Sequence, residues 1–230
     1  MRPEEINKTT YSTPKALEIY TTSYLWPYEE FLFDKYIKSG MKIIDIGCGT
    51  GRSTHFLKER GAQVVGVDMV EDFIKKGQEM YPSLDLRVMN ATNLDFPDNH
   101  FDFVFFSNQG IDYSDRREEI LKEAYRVTKP GAIFVYSSHN SLAFPRTRKA
   151  WVNFIKNLPN WRPGYHFRVE HHHNGDLYVA HVNIWSESKV LRNIGFSVID
   201  ILSNNYKFPR WSKLLTGFFT RWPMFVCRKI

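Results

Sequence analysis

Two acids and three glycines at fixed spacing carry the chemistry of this chain. The stretch Met41 to Phe56, MKIIDIGCGTGRSTHF, sets Asp45 in the apolar run Ile43, Ile44, Ile46 and then places Gly47, Gly49 and Gly51 on alternate positions. Glycines at a turn supply backbone freedom and let a ligand approach the main chain. A helix opening behind them offers unpaired N–H groups and the positive end of its dipole. Position 52, where a dinucleotide fingerprint has its third glycine, is Arg52, and the Gly-Lys-Ser/Thr ending of a phosphate-binding loop is absent. Asp45 repels a phosphate and suits a ligand with a cationic amine. The second acid, Asp68, ends the run VVGVDM, 21 positions after Gly47. A carboxylate at that spacing accepts hydrogen bonds from the 2′ and 3′ hydroxyls of a ribose. The alternative is an N-cap for the helix VEDFIKKGQEM, and both roles are compatible.

Strands and helices in alternation must hold these residues. An apolar run ending in glycines reads as a buried parallel strand that turns sharply into a helix. Upstream, Thr13-Pro14 starts a helix with Thr13 as N-cap, and Pro27 starts another, YEEFLFDKYIKS, ended by Gly40. Downstream, the pattern gives a helix over 53–60, strands over 63–67, 86–89 and 101–106, and a helix over 115–127. A fifth strand lies in RVTKPGAIFVYSS. Ser186 reads as the N-cap of ESKVLRNIG, followed by a sixth strand, Phe196 to Leu202, and a last antiparallel one, Trp222 to Lys229.

Taken in order, D-x-G-x-G-x-G, Asp68, the segment NLDFPDNHFDFVFFSNQG and RVTKPGAIFVYSS resemble the class I S-adenosylmethionine-dependent methyltransferases, of the small-molecule "type 11"-like kind, over about residues 41–138. The resemblance implies an α/β, Rossmann-like, doubly wound sheet of seven mostly parallel strands with an antiparallel last strand. It also implies helices on both faces, N-terminal helices that close over the cofactor, and a cap insertion after strand five. One domain is expected over 1–230: N-terminal helices at 1–40, a cofactor-binding core at 41–138, a cap at 139–183 and the rest of the sheet at 184–230. The resemblance assigns S-adenosyl-L-methionine to Asp45, Gly47, Cys48, Gly49, Gly51, Asp68, Met69, Asn90, Ala91, Ser107 and Asn108. Asn90 is a departure, since the family has there an acid that faces the adenine. An amide can accept from the exocyclic amine and donate to a ring nitrogen. Ala132 in place of a second glycine is a smaller one. Tyr11, Tyr20, Tyr24 and Trp26 either face the ligand or pack in the core.

Residues His139 to Asn183 mix Arg146, Arg148, Trp151, Trp161, His166, Arg168 and the run His171, His172, His173. They fit no regular sheet or helix repeat and are expected to cap the substrate site. Adjacent histidines in a strand point to opposite faces and cannot all serve one ion, and no cysteine accompanies them, so no metal is expected. A methyl acceptor needs a base only if its proton must leave early, and His139 and His166, or one of His171 to His173, are the candidates. Gln109, Tyr113, Arg146 and His172 are the candidates for holding the acceptor.

The 230 residues, 43% hydrophobic, suffice for one core, and no apolar run is long enough to cross a membrane. The N-terminal MRPEEINKTTYSTP carries no apolar secretory segment, and Cys48 and Cys227 form no disulfide or metal framework, so the cytoplasm is the expected compartment. The formal net charge of +6 fits an anionic partner or has no specific meaning. The expected activity is methyl transfer to a small molecule. The alternatives are a tRNA or other nucleic-acid methyltransferase, a lipid or quinone methyltransferase at a membrane surface, and a non-catalytic binding protein. The basic-aromatic stretch Asn204 to Arg221 either touches such a partner or packs on the sheet.

Overall fold

Strand β1 (Lys42–Ile46) lies inside the main sheet, next to its central strand, and its side chains divide the core in two. Successive residues of a strand point to opposite faces. Ile44 and Ile46 accordingly join one buried cluster, and Ile43 joins another. The same division recurs in β4 (Phe101–Phe106), where Val104 and Phe106 go to the first cluster and Phe103 and Phe105 to the second. A strand apolar on both faces must be covered on both. Helices α6 (Arg117–Val127) and α7 (Ile184–Ile194) cover the first face with Ile120, Leu121, Ala124 and Leu191. Helices α3 (Pro27–Tyr36) and α4 (Arg52–Glu59) cover the second with Leu32, Phe33 and Leu57.

The computed structural model describes residues 2–21, 24–141, 165–172, 175–203 and 220–230. Around β1 and β4 stand β2 (Gln63–Asp68), β3 (Asp85–Val88), β5 (Thr128–Ser137), β9 (Phe196–Leu202) and β10 (Met224–Lys229), in the order β3-β2-β1-β4-β5-β10-β9. β1 pairs in parallel with β2 and β4, β2 with β3 and β4 with β5, whereas β10 runs antiparallel to β5 and β9. The fold is therefore the doubly wound seven-stranded sheet expected from the sequence. Helix α5 (Glu71–Met80) connects β2 to β3.

Two elements differ from expectation. Helix α7 begins earlier than Ser186, because Asn183 is its N-cap: Asn183 Oδ1 accepts from Trp185 N at 3.0 Å and Ser186 N at 3.3 Å. The region after strand five, expected to lack a regular repeat, carries a second sheet of β6 (His139–Asn140), β7 (Tyr165–His172) and β8 (Gly175–Val182), in the order β6-β8-β7. β8 is buried from Leu177 onward except at Tyr178, which is why its sequence shows little alternation of apolar and polar residues.

Two short helices precede the sheet. α2 (Pro14–Tyr20) starts as expected, with Thr13 Oγ1 accepting from Ala16 N at 3.3 Å. α1 (Pro3–Tyr11) had no apolar periodicity to announce it. It is held by one buried amide. Asn7 Nδ2 donates to the carbonyls of Tyr113 and Tyr178 at 2.8 and 2.7 Å, and Asn7 Oδ1 accepts from Tyr178 N at 2.8 Å. α1 thus bridges the second sheet and the turn that follows β4.

Candidate functional site

The glycine loop joins β1 to α4 at the C-terminal edge of the sheet. Gly47, Gly49 and Gly51 all have positive φ, at 64, 56 and 85°. A Cβ on Gly47 would lie 2.6 Å from the Phe106 ring, whereas Gly49 faces open space. The loop is fastened to the end of β2 by Asp68. Its Oδ2 accepts from Gly49 N at 2.9 Å, and its Oδ1 accepts from Val70 N at 2.9 Å. Burial pushes the Asp68 carboxyl above its ordinary range, and these backbone donors oppose that shift. Asp68 therefore shapes both the loop and the start of α5.

Above this edge lies a cavity of about 410 Å³. Gly47, Cys48, Gly49, Asp68, Met69, Asn90, Ala91, Ser107 and Asn108 line it, and so do Gln109 and Tyr113. Its far wall comes from the N-terminal helices, through Glu4, Tyr11 and Tyr20, with Tyr24 and Trp26 beside them. All four N-terminal aromatics weighed in the sequence thus face the cavity. At the end of β4, Asn108 and Gln109 have left-handed backbones, with φ of 52 and 55°. Non-glycine residues in that region store strain, which concentrates at ligand sites. Gln109 is held there by Ser137, whose Oγ accepts from its backbone N at 2.8 Å.

The comparisons with known proteins bear on this edge of the sheet. Residues 44–136, from β1 to β5, match the Methyltransferase domain family. Over these residues the chain is similar to a methyltransferase domain. A demethylmenaquinone methyltransferase of Paenarthrobacter aurescens is 32% identical over 119 residues, 52% of this chain and 47% of that protein. The chain spans about half the length of the curated relatives it matches first. Among solved structures, a SAM-dependent methyltransferase of Methanosarcina mazei superposes with a TM-score of 0.67 at 20% identity, covering 90% of this chain and 98% of that one. The phosphoethanolamine N-methyltransferase 2 of Haemonchus contortus, solved with S-adenosyl-L-methionine, gives 0.68 at 17% identity, covering 100% of this chain and 60% of that one. At these identities the structural likeness establishes the fold.

Some residues expected at the site lie off the cavity wall. Asp45 is 1% exposed and points to the first turn of α4, where its Oδ2 accepts from Ser53 Oγ and Thr54 Oγ1, both at 2.7 Å. Burial pushes its pKa up to about 6, against these two hydroxyls and Arg52. It reaches the cavity only through Ser53, which lines it. Gly51 is a packing residue, since a Cβ there would meet Leu86 at 3.1 Å and Leu84 at 3.2 Å. Asn90 lines the cavity, but its Oδ1 already accepts from both Thr92 N and Thr92 Oγ1 at 2.9 Å. The expected acceptance from an adenine amine is therefore not open to it. Arg146 lies outside the described residues, and of His166 and His172 only the backbone positions in β7 are described.

His139 is 6% exposed and stands behind Tyr113, ring centroids 6.3 Å apart. Asp112 holds it. Asp112 Oδ2 lies 2.8 Å from His139 Nδ1 and accepts from His139 N at 2.6 Å. The other oxygen of Asp112 takes Ser138 Oγ at 2.8 Å and a guanidinium nitrogen of Arg117. Arg117, 1% exposed, also meets Glu187 Oε1 at 2.5 Å, and Tyr136 donates to the same oxygen at 2.6 Å. Sequence reasoning missed this network. Arg117 sits among Arg116, Glu118 and Glu119, so the sequence shows only a charged helix start, and Glu187 is 70 residues away.

Proposed function

We propose that the chain transfers a methyl group from S-adenosyl-L-methionine to a small-molecule acceptor. The observation that carries this reading is the Asp68 carboxylate tied to the glycine loop on the wall of a cavity of about 410 Å³. That volume falls in the range of small-molecule sites.

The residues present fit the cofactor. Asp68 accepts from the backbone N–H groups of Gly49 and Val70, with that of Met69 also bearing on it, and of its roughly four acceptor sites one remains for a ribose hydroxyl. Met69 and Ala91 supply apolar wall for a flat base. Gly47 and Gly49 bring bare main chain to the ligand. When bound, the cofactor supplies a methyl group already electrophilic on its sulfonium.

The chain's remaining task is orientation and exclusion of water, which in well-aligned systems is worth roughly 7–11 kcal/mol. Tyr11, Tyr20 and Phe73 form an aromatic cluster with Tyr113, and centroids of Tyr11 lie 5.3 Å from both Tyr20 and Tyr113. Burial, with the neighbouring phenols, pushes the Tyr11 hydroxyl well above its ordinary range, so it stays a protonated donor at neutral pH. Gln109 and Tyr113 are the acceptor-side residues of this reading. His139 is its base: it stands behind Tyr113, off the cavity wall, with Nδ1 on Asp112, so in this reading its Nε2 takes the acceptor's proton through one bridging water.

A quinone-like ring is a second reading of the acceptor. It is supported by the aromatic cluster and by the name of the 32% identical relative. The cytoplasm is the proposed compartment. Both cysteines are buried and free, and no helix among the described residues is long and apolar enough to cross a membrane. Incubating the protein with isotope-labelled S-adenosylmethionine and fractionated cell-extract metabolites, hydroquinones included, and reading label by mass spectrometry tests the proposal. A labelled small molecule supports it. Label only on RNA, or on nothing while the cofactor binds, contradicts it.

A further inference from the structure

Counting donors and acceptors on one wall of the cavity exposes a gap and a group that fills it. A carbonyl oxygen of an amide has two lone pairs. Both lone pairs of Asn90 Oδ1 are taken, by Thr92 N and Thr92 Oγ1. One Asn90 N–H goes to Glu4 Oε1 at 3.0 Å. Asn90 is left with a single free N–H, enough to donate to a ring nitrogen but unable to accept. An exocyclic amine on a bound purine needs an acceptor, and Glu4 stands beside Asn90 on the same wall. Its carboxylate is oriented from two sides, by Asn90 at one oxygen and by Ser114 Oγ, which donates to Oε2 at 2.7 Å. A carboxylate accepts about four hydrogen bonds, so lone pairs remain.

We propose that Glu4, carried in by α1, accepts the exocyclic amine of the bound purine, a role Asn90 is too engaged to play. This rests on the proposed cofactor class and deepens it. The recognising acid then comes from the N-terminal helix that Asn7 pins across the cavity, so selectivity for the base depends on α1 being seated.

The test is calorimetric and independent of turnover. S-adenosylhomocysteine and its 6-unsubstituted purine analogue, which has hydrogen in place of the amine and keeps every ring nitrogen an acceptor, are titrated into the full chain. The wild type should prefer the adenine compound by about ten- to a hundredfold, the loss expected for one hydrogen bond to a charged group. Glu4→Ala should bring the two within about threefold, mainly by weakening the adenine compound. Adding Asn90→Asp to Glu4→Ala should restore the preference. Glu4→Gln keeps one acceptor oxygen and should lie between, and it serves if the alanine variant folds poorly. A preference unchanged in both Glu4 variants, or an equal weakening of both ligands, overturns the assignment while leaving the cofactor class intact. A wild type that binds neither ligand overturns both.

Discussion

Arg52 and Glu29 close a two-pronged ion pair beneath the glycine loop, with Nη1 2.6 Å from Oε2 and Nη2 2.8 Å from Oε1. The Glu29 side chain is wholly buried, and it also accepts from Ser107 Oγ at 2.6 Å and Trp26 N at 3.0 Å. One carboxylate therefore locks α3, the start of α4 and the end of β4. Breaking such a pair leaves a buried charge uncompensated, which costs roughly 3–5 kcal/mol. Glu29→Ala should lose about that much in denaturant unfolding. The double variant Glu29→Met, Arg52→Met should lose much less than the two single losses added. A single-variant loss below about 1 kcal/mol contradicts the pair's role.

Asp45 gives a pH signature. Its folded pKa, near 6, lies above the ordinary 3.8. The folded state therefore holds the proton more tightly, and unfolding free energy falls as pH rises from about 4 to 6, then levels. The difference between 3.8 and about 6 corresponds to about 3 kcal/mol. Asp45→Asn removes this titration. The variant should gain on the wild type by up to about 3 kcal/mol between pH 4 and pH 7. A difference between the two proteins that is constant with pH contradicts the shift.

Asp68→Ala removes an ionised acceptor from the cavity and leaves Gly49 N and Val70 N unpaired. Affinity for S-adenosylhomocysteine should drop by roughly 1.5–3 kcal/mol, and the free protein's Tm should drop as well. A lowered Tm with undiminished affinity makes Asp68 a loop clamp alone.

The sheet was legible because its signals are local. Ile43 to Ile46 followed by glycines, and the FDFVFF run of β4, each need only neighbouring residues to announce a buried strand and turn. The cavity wall near them was legible for the same reason: Gly47, Gly49, Asp68 and Asn108 stand at strand ends. Gly51 and Asp45 share that motif yet face Leu86 and Ser53, because motif spacing does not say which way a side chain turns. Glu4, Glu29 and Arg117 were not legible. Glu4 meets Asn90 across 86 residues and Glu29 meets Arg52 across 23, distances at which no periodicity links the partners. α1 was missed because a polar helix held by Asn7 has no apolar stripe.

His139 and Asp112 should act as a unit. His139→Ala should lower turnover of the acceptor found in the metabolite screen by roughly 10²–10⁴. Cofactor affinity should stay within about twofold, since His139 lies off the cavity wall. Asp112→Asn should lower turnover too, with a loss of stability because Arg117 keeps only Glu187. A folded His139→Ala enzyme with wild-type turnover makes the pair structural.

Calorimetric titration of the purified chain with S-adenosylmethionine, S-adenosylhomocysteine and NAD tests the central claim most directly. The Asp68-clamped glycine loop, lacking a third fingerprint glycine at Arg52, predicts that both sulfur compounds bind at one site per chain and that NAD does not. Saturable binding of NAD with no heat from either sulfur compound would contradict the account.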